Sequence, residues 1–267
     1  MNLETENMTF VSRPNGQLHY QIFGDGPKNL LAFHGFGQSR HVYSSWSKKL
    51  KDQYKIYAFD IFYHGDSQRS ESPLSKKEWK EWLTAFLDKE SIGSYGTLGY
   101  SLGGRFSIAS ALAYPEKVEE IILVAPDGVF LTPWFKLATT PGIRGIFKYL
   151  MLHPNRLERL LNFNDRSKIV NKYVADFARK EMGNSQNRKR VYLSWNHFKP
   201  LGFSHDQLIS GFNGIRAKKS IIVGDNDHII VPDGILPIIK KMDGFMIHRL
   251  PLKHHQLIKP EVANLLS

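Results

Sequence analysis

The chain has 267 residues, 42% of them hydrophobic, which is enough for one sizeable core, and nothing in its composition suggests disorder, a collagen-like repeat or low complexity. The absence of cysteine excludes a disulfide framework, a thiol nucleophile and a thiolate metal site, and no run of about eighteen apolar residues reads as a transmembrane helix. The net charge of +11 is localised, because fourteen Lys or Arg face only four Asp or Glu between Phe130 and His205.

Met1 to Phe10 carry Glu4 and Glu6 and no apolar run behind a basic cluster, so no signal peptide is read there and a cytoplasmic location is expected. Leu18 to Phe23 alternate as an edge-hairpin strand and end at the turn Gly24-Asp25-Gly26-Pro27. Asn29 to Phe33 is a continuous apolar run, the pattern of a strand covered on both faces, and it delivers His34-Gly35 to its carboxyl end. A helix is expected over His41 to Leu50 and a buried strand over Lys55 to Phe59, ended by Asp60. Ser75, with Glu78 three residues on, is a helix N-cap; Trp79, Trp82, Leu83, Phe86 and Leu87 then recur at helical spacing and read as core.

A strand from Ser94 to Leu98 runs into Gly99-Tyr100-Ser101-Leu102-Gly103-Gly104, and a buried helix follows to Tyr114. Gly99, Ser101 and Gly103 spell G-x-S-x-G in the strand, turn, helix setting that the motif needs. A serine on so tight a turn has neighbouring chain pressed against both sides, where only glycine fits. The turn lifts the hydroxyl above the strand end, beside the free amides that open the helix. After the strand Glu119 to Val124 the alternation stops. The next stretch is mostly helical, with Leu157, Leu160, Leu161, Ile169, Val170, Tyr173, Val174 and Phe177 at helical intervals and Pro133, Pro141, Pro154 and Pro200 dividing it. Strands resume at Ser220 to Val223 and Phe245 to Leu250, around a helix near Leu236 to Lys241. Such alternation, interrupted once by helices, predicts an α/β fold: a mostly parallel sheet flanked by helices, with an inserted helical cap. The expected division is a core over residues 1–126 and 207–267 and a cap over residues 127–206.

The chain resembles the alpha/beta-hydrolase family in its serine-nucleophile, esterase-like branch. Beyond the serine turn, His34-Gly35-Phe36-Gly37 resembles the family's oxyanion loop, Asp60 with His64-Gly65-Asp66-Ser67 its strand-4 exit, and Tyr114-Pro115-Glu116-Lys117-Val118 its approach to the next strand. The resemblance implies a Ser-His-Asp triad in the chain order serine, acid, histidine. Ser101 needs a base to act as nucleophile, and the base needs an orienting acid. Asp227, in Gly224-Asp225-Asn226-Asp227-His228, is the preferred acid, with Asp225 and Asp127 as alternatives. His254 is the preferred base, because Leu257 and Ile258 then anchor the final helix as in the family; the adjacent His255 stays open, since Lys253 stands where the family commonly has glycine. The oxyanion hole would be the backbone N–H groups of Phe36 and Leu102, with His34 holding its loop rather than moving protons.

The expected activity is hydrolysis of a carboxylic ester of a small or lipid-like substrate through an acyl-enzyme. No nucleotide-binding glycine motif, Walker sequence or metal cluster is found, so neither cofactor nor metal is expected. Carbon-carbon bond hydrolysis uses the same parts. A lyase of the succinyl-hydroxycyclohexadiene-carboxylate synthase type is the other enzyme alternative, because Arg105 after the glycine pair would suit a polycarboxylate. The non-enzyme alternative is a basic-surface binding module on an inactive scaffold. Arg188-Lys189-Arg190 is the one tight basic cluster and comes without a recognition motif, so no specific nucleic-acid partner is expected. The basic cap is read either as a solvated outer face that keeps the protein soluble or as favouring anionic or lipid substrates and peripheral membrane contact.

Overall fold

The computed structural model describes residues 9–130, 139–140, 142–167 and 172–266; Pro133, Pro141, Ile169 and Val170, named above, lie outside them. Among the described residues nine strands form one sheet: β1 (Thr9–Arg13), β2 (Gly16–Phe23), β3 (Lys28–Phe33), β4 (Tyr54–Phe59), β5 (Gln68–Arg69), β6 (Tyr95–Tyr100), β7 (Val118–Val124), β8 (Lys218–Gly224) and β9 (Phe245–Leu250). Their order is β1-β2-β4-β3-β6-β7-β8-β9, with β5 paired to β2. The pairings from β4 across to β9 are all parallel, and β1, β2 and β5 attach antiparallel at one edge.

The apolar strands are continuous because both faces of the sheet are covered. Side chains alternate across a strand, so Leu31, Phe33, Tyr57, Phe59, Ile121 and Leu123 enter one core, while Leu30, Ala32, Ile56, Ala58, Ile122 and Val124 enter another. The first core is closed by α2 (Lys76–Lys89), which buries Trp79, Trp82 and Phe86, and by α3 (Gly103–Ala113), which buries Phe106. The Ser75 side chain caps α2 by accepting from the Glu78 amide, as the sequence predicts. The second core is closed by α1 (Ser44–Leu50) through Trp46 and Leu50, and by the C-terminal segment through Leu257, Val262 and Ala263.

Two helices differ from expectation at their starts. The segment read as one helix from His41 opens as a 3-10 turn, Arg40–Tyr43, before α1. The Asp60 carboxylate takes both the Arg40 amide and its guanidinium, which fixes the chain's entry there. The helix expected near Leu236 to Lys241 runs from Pro232 to Ile239. Proline's fixed φ and missing N–H suit the first turn, and this outweighs the later apolar spacing.

Between β7 and β8 the chain inserts α4 (Ile143–Leu152), α5 (Pro154–Ser167), α6 (Lys172–Glu181) and α7 (Ser185–His197). Met151, Leu157, Met182 and Val191 form their small apolar cluster, separate from the two sheet cores and touched by Phe36 of the β3 loop. Buried Arg188 ties these helices together, donating to the carbonyls of Met151 at 2.9 Å and Met182 at 3.1 Å. Phe198 and Leu201 are buried in the main core, ahead of α8 (His205–Asn213) and, beyond β8, α9 (Pro232–Ile239). Among the described residues no helix is long and apolar enough to cross a membrane.

Candidate active site

The site lies at the carboxyl ends of the parallel strands, where open α/β sheets place their clefts. At the end of β6, Ser101 has φ +50°, a left-handed conformation that costs a non-glycine residue about 1–3 kcal/mol. Three backbone bonds hold it there: its amide donates to Val124 at 3.0 Å, and its carbonyl accepts from Gly104 and Asp127, both at 2.8 Å. The flanking glycines are required by contact. A Cβ on Gly99 would stand 2.6 Å from the Gly103 carbonyl oxygen, and one on Gly103 would run into the Phe33 carbonyl of β3.

The loop after β9 brings in His254. Its Nε2 lies 2.9 Å from Ser101 Oγ and its Nδ1 lies 2.6 Å from Asp227 Oδ2. With the Nδ1 proton directed at the carboxylate, Nε2 is left to accept from the serine hydroxyl. Asp227 is buried, and its other oxygen accepts the amides of Ile229 and Ile230 at 2.8 and 2.9 Å, which holds the carboxyl group aimed at the imidazole. The imidazole is set by its backbone: Tyr100 donates its hydroxyl to the His254 carbonyl at 3.0 Å, buried Leu257 anchors the following turn, and Trp46 donates to the Ile258 carbonyl at 2.7 Å.

The other candidates do not join this relay, although His255 lines the same cavity. Asp225 pairs with Arg249 at 2.7 Å on the surface, and His255 is exposed. Asp127 is engaged by Arg105 through two nitrogens, at 2.8 Å and 3.2 Å. This also corrects the reading of Arg105 as a substrate contact: its guanidinium is buried, neutralised by Asp127 and directed at the Phe198 carbonyl, so it braces the start of the insertion.

Phe36 and Leu102 flank the serine from two sides, Phe36 in the loop that lines its cavity and Leu102 at the start of α3. The loop is held by His34, whose Nδ1 donates to the Gly35 carbonyl at 2.7 Å while its Nε2 accepts the Ile61 amide at 3.1 Å. Complete burial pushes its pKa down to about 4, so His34 is a neutral strut. Gln38 adds a clamp, its Oε1 accepting the Gly35 amide at 3.0 Å.

A cavity of about 630 Å³ opens above Ser101 and His254. Its floor comes from the sheet loops, and its roof from Asp176, Lys180 and Glu181 of α6 and Asn187 and Arg190 of α7. Glu181 packs against Gly37, and burial raises its pKa. The sequence gives none of these roof residues a place in the site, Arg190 standing out only within the basic cluster Arg188-Lys189-Arg190, and it gives no role to Gln38 or Tyr100. The last two adjoin recognised motifs and so carried a signal. The roof residues are polar positions on amphipathic helices, and only the packing of α6 and α7 turns them toward the serine.

Comparison with known proteins agrees with this architecture. The putative esterase/lipase 2 of Mycoplasma pneumoniae is 24% identical over 211 residues, covering 76% of this chain and 72% of that protein. The pimeloyl-[acyl-carrier protein] methyl ester esterase of Aliivibrio fischeri is 30% identical over 113 residues, covering 42% of each. Among solved structures, an esterase from Thermogutta terrifontis has a TM-score of 0.71 at 17% identity, over 97% of this chain and 95% of that one. The meta-cleavage product hydrolase of Pseudomonas fluorescens has 0.64 at 19%, over 97% and 95%. At these identities the structural likeness is one of fold. The relatives named as esterases or lipases support hydrolase activity, and since the family model described as alpha/beta hydrolase fold matches residues 28–259, across both halves of the sheet, the chain belongs to that family.

Proposed function

We propose that the protein is a serine hydrolase that cleaves a carboxylic ester of a small or lipid-like substrate through an acyl-enzyme. The observation that carries this reading is the continuous relay from Ser101 Oγ through His254 to buried Asp227, at 2.9 and 2.6 Å. His254 Nε2 takes the hydroxyl proton as Ser101 attacks the ester carbonyl, Asp227 stabilises the imidazolium, and the proton passes to the departing alcohol. Water then repeats the sequence on the acyl-serine, with the acid leaving. The amides of Phe36 and Leu102 donate to the tetrahedral oxyanion in both halves. The ester reading is preferred to the lyase because Arg105 is committed to Asp127.

Residues 127–206 serve in this proposal as the cap that selects the substrate. Lys180, Arg190 and Lys253 at the cavity favour anionic esters, against the opposing Asp176 and Glu181. Labelling with a fluorophosphonate followed by peptide identification tests the nucleophile, and modification anywhere but Ser101 would sink the assignment. For the cap, kcat/KM on an anionic ester should fall with ionic strength more steeply than on a neutral ester of equal size.

A further inference from the structure

The outer surface of α4 and α5 is built unlike that of an ordinary amphipathic helix, which turns polar residues to water. On α4, Phe147, Leu150 and Met151 pack inward, yet Ile146, Tyr149 and Leu152 recur every third residue on the other side and are 60%, 40% and 67% exposed. On α5, Leu157 and Leu161 pack inward while Leu160 and Phe163 are 50% and 59% exposed. Five of the large apolar side chains that the described residues leave exposed thus gather on two consecutive helices, a clustering that marks an interaction surface.

The charges around them indicate the partner. Arg144, Lys148, Arg156 and Arg159 stand among the apolar residues with Glu158 as the single acid between Arg144 and Phe163, and all five are exposed. Arg156 lies over the Tyr149 ring at 5.3 Å, which puts a cation at the border of the apolar strip. Apolar side chains set among cations are what an in-plane helix presents to a bilayer, the former entering the acyl boundary and the latter meeting anionic headgroups. A second copy would bring the same positive charge against itself, and this disfavours self-association through the face.

We propose that α4 and α5 form a docking face for an anionic phospholipid bilayer. These helices pack on α6 and α7, which roof the Ser101 cavity, so a docked molecule holds that roof at the membrane surface. The proposal does not depend on the ester-hydrolase reading, because docking is measured without turnover.

The experiment is flotation of the full chain with vesicles of phosphatidylcholine, with and without phosphatidylserine. The wild type should bind the phosphatidylserine vesicles roughly tenfold or more tightly than the neutral ones, with affinity falling as salt rises. The double variant Ile146→Asp, Leu152→Asp should lose roughly tenfold or more on the anionic vesicles. Lys148→Glu with Arg159→Glu should abolish the preference between the two compositions. Circular dichroism and melting temperature establish that each variant is folded, and since both pairs are exposed, either pair alone suffices. Equal binding of wild type and the aspartate variant overturns the proposal, as does indifference to phosphatidylserine. If sedimentation instead shows a dimer that Ile146→Asp dissolves, with no vesicle binding, the face joins two copies and membrane docking is wrong.

Discussion

The turn that carries Ser101 and the helices that roof it are held by different amounts of structure. Around the turn, β3, β6 and β7 are buried on both faces, and Gly103 is approached so closely by the Phe33 carbonyl that one added carbon has no room. Among the described residues of the insertion, the apolar cluster is centred on buried Met151, Leu157, Met182 and Val191 with partly buried Phe147, Leu150, Leu161, Tyr192 and Trp195 around them, and Ile146, Leu152 and Phe163 face outward. On the proposed mechanism, the reacting atoms are therefore fixed by the part of the molecule without slack, and the substrate's surroundings by an insertion with its own smaller apolar cluster. Chemistry and substrate choice can then change independently, because the relay from Ser101 to Asp227 borrows no side chain from α4 to α7.

The largest expected effect tests whether the rigid region holds the chemistry. Ser101→Ala should lower kcat for ester hydrolysis by about three powers of ten or more with an unchanged melting temperature, and His254→Ala should cost about as much, since members of one catalytic unit fail together. His255→Ala should cost far less, as its ring is exposed. If His255→Ala is the damaging change, His254 is not the base.

Next is the packing itself. Gly103→Ala places a methyl group against the Phe33 carbonyl, part of the β3 backbone, so no flexible side chain can yield. Overpacking of this kind should lower stability by roughly 3 kcal/mol, and turnover should fall as Leu102 and Ser101 shift. A melting temperature equal to that of the wild type would mean the turn has slack after all.

The same contrast explains what the sequence made legible. The double-faced apolar runs, the glycine spacing at Gly99 and Gly103 and the Ser75 cap are local signals, and each matches the structure because the forces behind it act over a few residues. The order of Asp227 and His254 along the chain could be carried from the family resemblance. Their meeting could not be read locally, since it requires β8 and β9 to lie parallel and adjacent. Arg105 was misread because its neighbours in sequence do not show that Asp127 folds back over it. Glu181 left no pattern and Arg190 stood out only as part of a basic cluster, because a polar residue facing a cavity and one facing solvent look alike in a sequence.

A pH titration probes the buried loop support. Burial holds His34 near 4 in the folded protein against an ordinary value of 6.5; Asp60 draws it upward, Arg190 pushes it down, and neighbouring His64 is lowered by burial in the same direction. Between those values the unfolded chain binds more protons than the folded one, so stability is full above about pH 6.5 and falls as pH drops toward 4. The shift at His34 corresponds to about 3 kcal/mol. Unfolding by urea across that window should show the decline, and His34→Gln, which cannot titrate there, should show a shallower one. Equal slopes would remove His34 as its source.

The smallest effect should come from the insertion and have the opposite sign to Gly103→Ala. Gly145 lies inside α4, where an added Cβ meets nothing within 4 Å. Alanine there gives up backbone freedom in the unfolded chain and meets no clash in the folded one, so Gly145→Ala should stabilise the helix by about 0.5–1 kcal/mol. Because the insertion's cluster is separate from the sheet cores, the gain should appear as slower amide exchange in α4 and only a small rise in the global melting temperature. kcat on a small ester should stay unchanged, since no atom of the relay touches this helix. A substantial change in kcat would show that the roof and the relay are mechanically coupled, and that the independence argued from their packing does not hold.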